Sequence, residues 1–395
     1  MPTIATRASH GAIWRLFVAI ALMLAGVSVV LADDVEQAQR IHDRLAGVPP
    51  SSGVLTTMTG QIAAGNEIGA ANTAMDNPNF ATVTLKNFAA PWTNRDQSQF
   101  VPLNDYITLV IGMVINRIPF NEILSSDLLY VGSGVAPAPA ANSNAHFAAL
   151  EDRMLDPAFD PMSDLVPTTQ SGTYQLPAEA PAGAMTTRAA AEAFFIAGTN
   201  RAMFRFTLMN HMCMDLEQVQ DTSIIPDRVR QDVSRSPGAD SRVFMNSCIG
   251  CHAGMDPLAQ AFAYYNFNDV SGRMEYDSSA PHSKYFNNEE TFADGFVTPD
   301  DSWDNYWREG QNALLGWNGA LPGSGNGARS MGRELAGTQA FAQCQVQKVF
   351  KSVCLRDPVD QFDRAEVTTM TGNFVSNGYD LKQVFAESAV YCMGD

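Results

Sequence analysis

Apolar and polar positions along the chain repeat mostly at helical spacing. Residues 34–45 read as a short amphipathic helix, ended by the breakers Gly47, Pro49, Pro50 and Gly53. Residues 54–100 are rich in Thr, Asn, Ala and Gly and show no clear period. The run 103–118 is the clearest N-terminal helix; its densest apolar part, 107–115, reads as buried, and Pro119 stops it. A further helix is expected over 120–129. Residues 187–214 return to strong helical character from Thr187, with Gly198 placed to bend or divide the run. Residues 333–353 and 381–391 predict two more helices. No sustained strand alternation appears, although a short hairpin fits near 273–276. The expected fold class is therefore mostly α.

Between these runs lie two loop-rich stretches. Residues 132–183 carry Pro137, Pro139 and many further Pro, Ser and Gly positions, and read as a connection or insertion. Residues 269–330 are similar and hold three of the five tryptophans. The expected organisation is a leader over 1–32, an N-terminal helical domain over 33–131, a connection over 132–183 and a second domain over 184–395.

The leader rests on a physical pattern. Arg7 and Arg15 precede an uncharged run of 17 residues, 16–32, which ends in Val30, Leu31 and Ala32 and switches abruptly to Asp33 and Asp34. A basic start, an apolar middle and small residues before a polar switch describe an export signal. The run is short for a membrane span, and no later stretch is long and apolar enough, so the mature chain is expected to have no span. Losing Arg7 and Arg15 with the leader takes the net charge from −17 to −19. Such acidity argues against nucleic acid as a partner, because phosphate neutralisation needs a basic face. It favours solubility and steers encounter with a basic partner.

The 395 residues include six cysteines, and two of them form the pattern Cys248-Ile249-Gly250-Cys251-His252. Two cysteines three apart share one helical turn, so both sulfurs reach the vinyl groups on one haem edge, and the next residue aims an imidazole at the iron. The pattern predicts one covalently attached haem c, held by Cys248 and Cys251, with His252 as the proximal iron ligand. Attachment outside the cytoplasm agrees with export, to the periplasm or beyond. A zinc half-site lacks a second Cys or His pair at zinc spacing, and a thioredoxin-like pair lacks a βαβ pattern. The other four cysteines suit disulfides in an oxidising compartment. Three pairings are open; the preferred one is Cys344–Cys354 with Cys213–Cys392.

The far side of the iron is less defined. Met255 follows His252 too closely to cross the haem plane and reads as packing. Met274, His282 and Met331 lie downstream; Met331, behind a glycine-rich lead-in at 323–327, is the tentative distal ligand. His211, Met212 and Met214 could approach from upstream, and an open site is the remaining alternative. The glycine-rich lead-in lacks the Gly-Lys-Ser/Thr of a phosphate loop. His42 and His146 read as surface or capping residues. No nucleophile elbow and no His-Glu-x-x-His pattern occurs.

The block running from Cys248 through Met255, Asp256 and Pro257 to Phe262, Tyr265 and Phe267 resembles the signature of planctomycete-type cytochrome-like proteins of uncharacterised function. The segments 117–124, 127–131 and 44–50 resemble that family's upstream sequence, and together the likeness spans about residues 40–350. One departure is Ala259, where the family usually has Gly. The resemblance implies a helical, exported haem protein with a c-type cytochrome-like domain. It supplies neither a reaction nor catalytic residues. Three roles follow as expectations: a monohaem electron carrier or electron-transfer subunit serving a partner oxidoreductase; a peroxidase-like haem enzyme with an open distal site; or a sensor that uses haem as a switch.

Overall fold

The computed structural model describes residues 32–195, 199–286 and 291–394. The proposed leader, apart from Ala32, lies outside them, as does Gly198. The chain is mostly helical, as its periodicity predicts. Three helices open the described residues: α1 (Asp34–Ala46), α2 (Ser52–Ala63) and α3 (Glu67–Met75). Each starts where a side chain caps free backbone N–H groups: Asp33, Ser51 and Asn66 accept from Glu36, Val54 and Gly69. Gly47, in the left-handed conformation, ends α1 and donates to the Asp43 carbonyl.

Helix α4 (Asp105–Ile115) is buried along its whole length, and Asn104 caps it. The helix expected over 120–129 is instead one 3-10 turn (Phe120–Leu124) followed by strand β1 (Leu128–Gly132). Ser125, Ser126 and Asp127 interrupt the helical run, and Leu129, Tyr130 and Val131 then pack as a buried strand. The stretch 132–183 is not featureless. It contains α5 (Ala145–Arg153) and β2 (Leu165–Thr169), which pairs antiparallel with β1.

Helices α6 (Arg188–Phe194) and α7 (Arg201–His211) follow, then α8 (Ile249–Ala259), β3 (Tyr265–Asn268) and β4 (Arg273–Tyr276). The β3–β4 pair is the hairpin expected near 273–276. Strands β5 (Ser302–Asp304) and β6 (Ser324–Asn326) form a third small antiparallel pair. Four helices close the chain: α9 (Gly327–Ala336), α10 (Gln339–Cys354), α11 (Gln361–Ser376) and α12 (Leu381–Tyr391). The single helix expected over 333–353 is thus split at Gly337 and Thr338, where the Thr338 hydroxyl caps α10.

Helix α1 packs against α10 and α12, and α3 packs against α12. Gln37 and Arg40 donate to the carbonyls of Gly394 and Met393, both at 3.0 Å. One buried apolar cluster extends from Ala38 to Ala389. The two segments expected to be separate domains therefore share a core across 132–183. No helix among the described residues is long and apolar enough to cross a membrane.

Four cysteines form two disulfides, Cys213–Cys344 and Cys354–Cys392, with Cα atoms 5.3 and 5.5 Å apart. This corrects the expected pairing. Cys344 and Cys354 both lie on α10, and ten residues of helix separate them by about 15 Å, far beyond disulfide reach.

Candidate cofactor-attachment site

Helix α8 begins inside the Cys-x-x-Cys-His run. A π-helical turn (Phe244–Cys248) leads into it, a distortion that often accompanies functional positions. Cys248 and Cys251 are the free cysteines among the described residues, and both are partly exposed. At 3.6 residues per turn, Cys248, Cys251 and His252 fall on one arc of the helix, with Met255 and Asp256 one turn on.

Packing covers the helix around and beyond this arc. Ile249 and Ala253 bury against Val229, Val233 and Phe244. Gly250 and Gly254 face the 220–222 segment and Trp307; a Cβ on Gly254 would come within 1.9 Å of Trp307 Nε1. Only glycine lets the indole come this close. Met255, Leu258 and Ala259 enter the main core, which agrees with Met255 as packing.

Beneath His252 lies a charge network that the sequence reading did not single out. His252 Nδ1 stands 3.2 Å from Asp256 Oδ1. Asp256 is fully buried. Arg201 on α7 grips it with two bonds, Nε to Oδ1 at 2.6 Å and Nη2 to Oδ2 at 2.9 Å. The same guanidinium donates to Asp232 Oδ1 at 2.8 Å. Arg230, also buried, adds its backbone N–H to Asp256 Oδ2 at 3.3 Å and a guanidinium nitrogen 3.7 Å from Oδ1. Burial alone would raise the Asp256 pKa. Arg201 and Arg230, with hydrogen bonds from His252 and Arg201, outweigh it and hold the carboxyl well below its ordinary value.

An ionised Asp256 only accepts, so the proton of a neutral His252 belongs on Nδ1. Its Nε2 lone pair is then free to bind a metal, and the carboxylate fixes the orientation of the ring. The side chain of His252 retains 21% exposure. The signal for this network was present in the sequence as His252 and Asp256 at i and i+4; Arg201 and Asp232 carried none.

Cys251 Sγ touches the Leu216 carbonyl at 3.6 Å. Burial, followed by Glu217, Asp215 and Cys248, pushes its thiol pKa up. A thioredoxin-like dithiol needs the opposite, a stabilised thiolate. Among the described residues no group of three or more His, Cys, Asp and Glu side chains could hold a metal ion, so the two thiols have no partners for a zinc tetrahedron.

No family model matches the chain, and neither does any curated protein or solved structure. The site therefore has to be read from its own geometry.

The structure gathers Cys248, Cys251 and His252 and does not bring Met331 to them. Met331 is buried in the core on α9, which packs on the Phe120–Leu124 turn and on residues 260–262 beyond the end of α8. Those residues lie about 12 Å along the helix from His252. The glycine-rich lead-in is not a free loop, since Ser324–Asn326 is strand β6. Met274 is buried on β4 opposite Phe267, and the backbone N–H of His282 donates to the Ala263 carbonyl at 2.8 Å; both attach beyond the end of α8. His211 is buried with its Nε2 2.7 Å from the Tyr106 hydroxyl. His42 and His146, expected at the surface or at caps, are buried structural residues, each with a ring nitrogen 2.7 Å from a backbone carbonyl.

Proposed function

We propose that this chain is an exported monohaem c-type cytochrome-like protein that passes electrons to or from a partner oxidoreductase. One observation carries the reading: Cys248 and Cys251 stay unpaired on one helix face beside an imidazole oriented by a buried carboxylate, while the other four cysteines are joined in disulfides. The donor set suits haem c. Cys248 and Cys251 would hold the haem through thioethers formed by adding each S–H across a vinyl group, and His252 Nε2 would ligate its iron. The haem, when bound, supplies a one-electron Fe(III)/Fe(II) couple. Asp256 holds the His252 proton on Nδ1 and leaves Nε2 as the atom available to ligate.

The two disulfides agree with an oxidising compartment, and the net charge of −17 agrees with a basic redox partner. The test is expression with an export leader in a host that attaches haem c. The purified chain should carry one haem that survives acid–acetone extraction, and Cys248→Ala, Cys251→Ala together should abolish that retention. Unchanged retention in the double variant would refute the assignment. Carbon monoxide binding to the reduced protein separates the carrier from the peroxidase-like alternative, since only an open distal site takes the ligand rapidly.

A further inference from the structure

Away from α8, the molecule contains a cleft of about 830 Å³ between α1, residues 83–99 and the end of α10. Its volume lies within the range of small-molecule sites, about 300–1,000 Å³. Four cations line it: Arg40 and Arg44 from α1, Lys348 and Lys351 from α10, against the single carboxylate of Asp43. Such a concentration is unusual in a chain of net charge −17. The lining also includes the apolar Val83, Phe88, Pro91, Trp92 and Leu355.

The cations differ in their partners. Lys351 pairs with Asp357 at 3.0 Å, and Arg40 stands 3.9 Å from Glu36. Lys348 has no carboxylate partner among the described residues. Its ammonium donates to the Asn210 carbonyl at 2.6 Å and lies 4.3 Å from the centre of the Trp92 ring. Arg44 likewise spends one N–H on a carbonyl, that of Val353 at 3.3 Å, and has no acid within ion-pair distance among the described residues. Burial pushes the Lys348 pKa down to about 7, and burial with repulsion from Arg40 and Arg356 lowers that of Arg44. Two half-buried cations without counter-charges, beside a buried indole, form a receptor for a charge of opposite sign attached to a flat apolar body.

We propose that this cleft binds a small organic anion, a carboxylate with a planar or aromatic body, whose acid group is held by Lys348 and Arg44 and whose body packs on the apolar lining around Val83, Pro91 and Leu355. The assignment is independent of haem attachment, because none of these residues lies on α8 or contacts its thiols through a described hydrogen bond.

The test uses 1-naphthoate, titrated into the full chain by calorimetry and by quenching of tryptophan emission. Saturable binding at one site is expected. Lys348→Met and Arg44→Gln should each weaken it at least tenfold, whereas Lys351→Gln, which removes a cation already paired with Asp357, should change it less than threefold. The neutral analogue 1-naphthalenemethanol should bind at least tenfold more weakly than the acid. Unchanged thermal unfolding of each variant separates lost contacts from lost folding; should Lys348→Met not fold, Arg44→Gln and the neutral analogue decide. No saturable binding at millimolar concentration would overturn the proposal. Equal binding of acid and alcohol would overturn the role of the cations. Displacement by equimolar inorganic phosphate would overturn the role of the apolar wall.

Discussion

His252 and Asp256 are one helical turn apart on α8, and the imidazole Nδ1 lies 3.2 Å from a carboxylate oxygen that has no exposure to solvent. Asp256 is also where Arg201 and Arg230 converge. It therefore joins the ring that would hold the iron to the charges that hold α7, α8 and the 229–233 segment together. Asp256→Asn removes the carboxylate nearest the buried Arg230 guanidinium and leaves Arg201 with Asp232 alone. Breaking such a pair by removing one partner costs about 3–5 kcal/mol, and denaturant unfolding of wild type and variant should show a loss of that order.

The same carboxyl fixes a pH dependence. Its pKa is depressed in the folded chain, so its stabilising contribution is complete above the unfolded carboxylate value of about 4 and is lost as pH falls below it. Urea midpoints of the wild type should therefore drop between pH 6 and pH 3 more steeply than those of Asp256→Asn, which has no proton to take up there. Parallel curves for the two proteins would remove Asp256 from the acid response.

In the haem-loaded protein, single replacements Cys248→Ala and Cys251→Ala should each leave one thioether and one intact vinyl group. The vinyl group extends the conjugation of the ring, so the reduced absorption bands should move to longer wavelength, and mass spectrometry should still find covalent haem. Asp256→Asn should leave attachment intact and raise the midpoint potential, because it removes a buried negative charge beside the ring that would ligate the iron. An unchanged potential would separate His252 from this network.

Gly254 and Gly250 test the packing of α8. A methyl group at 254 meets Trp307 Nε1 at 1.9 Å, whereas one at 250 meets its nearest neighbour, a side-chain carbon of Gln220, at 3.3 Å. Gly254→Ala should destabilise by about 1–3 kcal/mol through overpacking. Gly250→Ala should stay within about 1 kcal/mol of wild type, since alanine's helix propensity offsets the tighter contact. Thermal unfolding compares the two directly.

Closing loops of 131 and 38 residues, the two disulfides restrict the unfolded chain by about 5 and about 4 kcal/mol in the chain-entropy treatment. Cys354→Ser with Cys392→Ser should lower stability by up to the smaller figure. The pair Cys344→Ser with Cys354→Ser should lose both bridges at once, which distinguishes the observed connectivity from Cys344–Cys354 with Cys213–Cys392.

Helices with an apolar stripe, such as 34–45 and 381–391, were readable because burial on one face imposes their period. Helix α2 was not: Thr56, Thr57 and Thr59 turn their hydroxyls back to carbonyls one turn earlier, so polar residues sit in a helix where their composition signals a loop. The break at 337–338 was hidden because Thr338 reads as an ordinary helical position until its hydroxyl is seen capping Phe341. At the site, the spacing of Cys248, Cys251 and His252 is a local property and was legible. The grip of Arg201 on Asp256 spans 55 residues, and no local pattern encodes it.

The pairing of the sulfurs also sets an order of events during maturation. Cys248 and Cys251 are the closest cysteines along the chain, so in an unfolded chain under oxidising conditions they meet first, at the lowest loop-closure entropy. The bridges seen in the fold join partners 131 and 38 residues apart and form only as α10 finds its neighbours. Oxidation therefore favours the wrong bridge early and the right ones late. A haem-bearing form of this chain needs a reductant at the two early thiols and an oxidant at the four late ones, within one compartment.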